Sequence, residues 1–145
     1  MKKLLYLLLI LPIAFNNLNA ADETILLETT GVLSVQGAIL TQIALGTTFD
    51  AWTAEVYSYK EFEEWIGIYQ EAMIGVRAQL YSLYRYGNLH YEDTEFIDML
   101  IALYDAMLKE SNSMLKYSYS KKNTDFNQYM HDREIVLDMM DILFE

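Results

Sequence analysis

The chain has 145 residues, 21 acids against 10 lysines and arginines, no cysteine and a formal charge of −11. That length sets one domain able to bury a core without staples, and the missing cysteine excludes disulfides, thiol catalysis and Cys-ligated zinc. So acidic a chain lacks the cationic surface that nucleic acid demands.

The chain opens with Lys2 and Lys3, then the apolar run Leu4–Leu11, then Pro12 and the small-residue stretch Asn19-Ala20-Ala21. A basic head, an apolar run too short to span a bilayer and small residues at a cut point are the parts of a secretory signal peptide. Cleavage is expected after Ala20, giving residues 1–20 as signal and 21–145 as a single helical-bundle domain, periplasmic or extracellular. Removing two lysines and no acid takes the formal charge from −11 to −13. An anionic membrane surface is then disfavoured, and another protein, of basic character, suits the charge better.

Residues 21–57 carry two helical stripes, Ile25/Val32/Ile39/Ile43 and Leu26/Leu33/Leu40/Ala44. Gly31, Gly37, Gly46 and the threonines weaken a helix there. The expectation is a helix from about Glu23 to Leu45, a turn at Gly46-Thr47-Thr48, and a short extra helix from Phe49 to Tyr57. Thr29–Phe49 lacks charge over a length that could span a membrane. Its Gln, Ser, Thr and Gly content instead favours a bundle helix or one docked on a partner.

Between Lys60 and Tyr86, Phe62, Ile66, Tyr69, Met73, Val76, Leu80 and Leu83 alternate steps of four and three. This is an a/d seam. Ser58 and Glu61 have capping-box spacing, and Gly87-Asn88 offers a left-handed stop. The next helix is expected from Asp93 or Thr94 to Lys121-Lys122. One of its seams holds Phe96, Leu100, Leu103, Met107, Met114 and Tyr117, and a second holds Ile97, Ile101, Tyr104, Leu108 and Leu115. The last helix starts at Asn123 or Thr124, with a seam of Phe126, Met130, Arg133, Leu137, Met140 and Phe144 and with Tyr129, Val136 and Leu143 beside it. Short connections make neighbouring helices antiparallel, so the expected fold is an all-α, up-down-up-down four-helix bundle.

Catalytic chemistry finds little support. The only histidines are His90, in a connection, and His131, with no Ser or Asp spaced to complete a nucleophilic set. Bundle metal sites use Glu-x-x-His pairs, but Gly87 and Gln128 stand three residues before the two histidines. The methionines fall on apolar stripes, where they fill gaps. No catalytic, cofactor or metal residue is assigned.

Glu110 and Arg133 do stand out, each a charge on an apolar seam, and are expected to bridge or to line a polar pocket. Tyr81, Tyr84, Tyr86 and Tyr91 should gather at one pole, where tyrosine suits an interface. Asp138 and Asp141 put anions at the negative end of a helix dipole, which suits a cationic neighbour. These residues make the chain an expected non-enzymatic interaction protein, such as an inhibitor, an immunity factor or a secretion-apparatus subunit. A small-ligand or metal carrier with a pocket inside the bundle is the alternative.

Overall fold

The structure is a computed structural model that describes residues 20–87 and 89–144. The expected signal run and the Asn88 stop lie outside the described residues. Four helices carry these residues: α1 (Ala20–Thr53), α2 (Tyr59–Tyr86), α3 (Tyr91–Ser120) and α4 (Asn123–Phe144). By contact the chain divides into two units, Met1–Val32 and Leu33–Glu145. The described part of the first is the opening of α1. The second holds the rest of α1 and the other three helices.

Within the second unit the pairings themselves establish the topology. Gln70 of α2 bonds Ser111 and Asn112 of α3, while Arg77 pairs with Asp105, so one number rises as the other falls. Lys109 and Lys116 of α3 pair with Asp132 and Asp125 of α4 in the same descending sense. Ser34, Gln42 and Phe49 of α1 instead meet Tyr104, Glu110 and Tyr117 of α3 in ascending order. Sequential neighbours are antiparallel and alternate helices parallel, which is the up-down-up-down four-helix bundle the periodicity predicts.

The Ser58 box forms as expected. Its hydroxyl accepts from Glu61 N, and the Glu61 carboxylate accepts from Ser58 N at 2.9 Å. A 2.7 Å bond donated by the Ser58 hydroxyl, with the one from Ser58 N, holds the Glu61 carboxyl below its usual range. Helix α3 starts at Tyr91, two or three residues early, with Asp93 accepting from His90 N. It ends on Lys121 in the left-handed region, φ 56°. Gly87 is extended, not left-handed, at φ −74°. Glycine is needed there for space, because a Cβ would stand 2.5 Å from the Leu83 carbonyl oxygen.

Two expectations need correction. Helix α1 does not break at Gly46-Thr47-Thr48 and has no separate short helix after it; it runs unbroken to Thr53. Ala38, Gln42, Leu45, Phe49 and Trp52 all lie buried at steps of four and three, so one packed face crosses the glycine. Burial of this face outweighs a glycine cost of about 1 kcal/mol. Helix α4 is rotated from its expected seam. Asp125, Tyr129, Asp132, Val136 and Met140 face the core, whereas Met130 and Leu137 are 43% and 44% exposed. The rotation brings two aspartates onto lysines and seats Tyr129 against Phe49, with ring centroids 4.7 Å apart.

Candidate functional site

At one end of the second unit the last turns of α1 and α3 meet the first turns of α2 and α4. Trp52 stacks near Phe62 at 5.0 Å and meets Tyr117 edge-on, while Phe126 lies 5.1 Å from Tyr117. The Lys121 ammonium sits 3.4 Å from the centre of the Trp52 ring. This cation–π contact ties the α3–α4 turn to the end of α1, and burial pulls the Lys121 ammonium below its ordinary pKa.

Below this cluster lies a polar layer. Glu110 is fully buried, and its Oε1 accepts from Gln42 Nε2 at 3.1 Å. Burial pushes the carboxyl up to about 7; Gln42 and the Arg133 charge pull it down, and Asp132 raises it further. The expected Glu110–Arg133 bridge is not made. Arg133 Nη1 donates to the Tyr129 hydroxyl at 3.1 Å, beside the open face of Gly46, and Glu110 turns to α1 instead. With the α4 core face running through Tyr129 and Asp132, Arg133 falls on its edge and keeps part of its guanidinium in water. The Tyr129 phenol is raised by burial, which Arg133 partly offsets.

The charged rungs between α3 and α4 are Lys109–Asp132 at 3.0 Å and Lys116–Asp125 at 2.8 Å. Each helix repeats its charge after seven residues, a spacing legible in the chain that the apolar seams obscured. Burial raises the Asp132 carboxyl, but bonds from Lys109 and Gln128 outweigh it and leave it lowered. The Lys116 and Ser120 bonds lower Asp125. Ser111, Ser113 and Ser118 are buried on α3 because each hydroxyl donates to a carbonyl of its own helix.

Of the tyrosines named from sequence, Tyr81, Tyr84 and Tyr91 lie on the surface near the α2–α3 turn. Tyr81 and Tyr84 are partly exposed and Tyr91 is 82% exposed, while the Tyr86 side chain lies outside the described set. Arg77 lies over the Tyr81 ring at 5.9 Å. At the other end of α2, burial, then Glu63, then Tyr119 raise the Tyr59 phenol, so Tyr59 and the exposed Tyr119 are neighbours. Asp138 and Asp141 both stand in solvent on the second half of α4.

The two stripes marked on residues 21–57 carry the open face of α1, not its packed one. Leu33, Leu40 and Ile43 are exposed, Leu40 and Ile43 at 61% and 60%, on the side away from Ala38, Gln42 and Leu45. Leu27–Thr53 is long and apolar enough to cross a membrane, with a third of the window buried. Periodicity marks the apolar stripes but not which face packs, because this helix is apolar nearly all round, and the core takes Ala38, Gln42 and Leu45 instead.

A groove of about 500 Å³ between α2 and α3 is lined by Gln70, Ile74, Arg77, Asp105, Leu108, Lys109 and Asn112. It contains neither Glu110 nor Arg133 and is crossed by the Arg77–Asp105 pair. Among the described residues no group of three or more His, Asp or Glu is placed to hold a metal. No family model, curated protein or solved structure matches this chain.

Proposed function

We propose that this chain is an exported, non-enzymatic bundle that works by docking on another protein. The apolar N-terminal run is compatible with a signal sequence, and export is part of this reading. The observation that carries it is the open apolar face of α1, Leu33, Leu40 and Ile43, on a protein whose acids outnumber its bases two to one. Isolated exposed apolar side chains are ordinary, but a run along one helix that is also packed on its other side marks an interaction surface. The partner would present an apolar strip flanked by cations. Its long-range attraction to the acidic surface speeds encounter, and apolar contact with α1 sets the residence time. Exposed Tyr91 and Tyr119 supply further anchors of the type that concentrates binding energy.

A photo-crosslinking residue in place of Gln36, exposed on the same face of α1, in cells that export the protein, tests this reading. It expects one dominant protein adduct that weakens with rising salt and is lost in a Leu40→Glu/Ile43→Glu variant of unchanged helix content. Adducts to lipid alone, or protein adducts indifferent to that substitution, overturn it.

A further inference from the structure

Among the described residues two buried side-chain atoms have no hydrogen-bond partner, Gln42 Oε1 and Glu110 Oε2. They are the remaining halves of one amide and one carboxyl already joined by the 3.1 Å bond from Gln42 Nε2 to Glu110 Oε1. An orphaned buried acceptor costs about 1–3 kcal/mol, and here two sit in the same pair. An ionised carboxylate can only accept, so it leaves both orphans in place. A neutral carboxyl carries one donor, and a proton on Oε2 gives the two orphans each other.

We infer that Gln42 and Glu110 form a proton-dependent latch between α1 and α3. Neutral Glu110 donates from Oε2 to Gln42 Oε1 and closes a two-bond acid–amide ring; loss of that proton opens it. The groups around the pair fit this. From α1 comes uncharged Gln42. From α4 come the buried Asp132, which opposes a second negative charge, and Arg133 and Tyr129, bonded to each other. No charge from α2 bears on Glu110 among the described residues. On α3 its neighbours in the core are Met107 and Met114, which hydrate nothing. Along the same two helices the Tyr104 hydroxyl donates to Ser34 O at 2.8 Å and, like Glu110, is held in its neutral form by burial.

The direction of the pH effect follows from linkage. The fold keeps the Glu110 proton up to about pH 7, whereas an unfolded glutamate loses it near its ordinary value. The latch is therefore at full strength below about pH 4.5 and weakens as pH rises through 7.

Two measurements on the full chain test it. In the first, NMR follows the Glu110 carboxyl carbon and the Gln42 side-chain carbonyl from pH 4 to 9. Both should move together with a midpoint near neutral. A Glu110 midpoint in the ordinary carboxylate range, or a Gln42 resonance that ignores it, overturns the latch. In the second, urea unfolding compares the wild type with Glu110→Gln, which can close an amide–amide ring at any pH. Between pH 5 and 8 the wild-type unfolding constant should rise on the order of a hundredfold relative to the variant. Parallel pH profiles overturn the proposal. If Glu110→Gln does not fold, the NMR titration of the wild type decides alone.

Discussion

A single α3 position shows how heavily the core depends on its central side chains. Met107 is fully buried beside Glu110 on the seam that faces the other helices. Replacing it with Ala should cost about 2–5 kcal/mol, transfer energy plus the cavity left behind. Urea denaturation reads this as a lower midpoint with an unchanged slope. Gly37 shows the opposite constraint. A Cβ there would stand 3.1 Å from the Tyr104 hydroxyl, so the bond from Tyr104 to Ser34 relies on a bare backbone at that point. Arg133 is the residue whose role the chain misstates. Its seam position suggests a bridge to Glu110, but a side-chain partner is chosen by the rotation of α4, which spacing alone leaves open by a residue.

At the scale of the element, helix starts are local chemistry and helix faces are not. Ser58 and Glu61 satisfy each other's backbone within four residues, so the box was legible without any tertiary information. Ser58→Ala should cost about 1 kcal/mol, measured by thermal or urea unfolding, with the helix content otherwise kept. The Gly46-Thr47-Thr48 stretch reads as a break for the same local reasons, yet α1 continues. Thr47 returns its hydroxyl to the Ile43 carbonyl at 2.8 Å, and Thr48 lies 3.3 Å from the Tyr69 hydroxyl. Both threonines are absorbed, and Phe49 and Trp52 reach the aromatic cluster only if the helix carries on.

For the whole molecule, two opposing pH dependences meet. Asp125 and Asp132 hold their charges more firmly in the fold than in the open chain, because lysine bonds lower both. Their contribution is complete above the ordinary carboxylate range and disappears as pH falls through their lowered values. Glu110 runs the other way, losing stability as pH climbs toward 7. Stability should therefore peak in mildly acidic solution. The Asp125→Asn/Asp132→Asn pair should be less stable than the wild type at pH 6, with a shallower loss toward pH 3, as followed by circular dichroism during urea titration. The docking reading belongs to this scale too, since it needs the acidic surface and the open α1 face together.

The helical class, the four long helices and the near-antiparallel neighbours were readable from residue spacing, because a 3.6-residue period and short connections act within a few turns. So were the Ser58–Glu61 box, the α4 start and most of the α2 seam. The rotation of α4, the Lys–Asp rungs, the Gln42–Glu110 pair and the unbroken α1 were decided only when four helices packed. The rungs and the buried pair join residues 9 to 68 positions apart, and what selects them is an apolar interior that does not exist until the helices close on it.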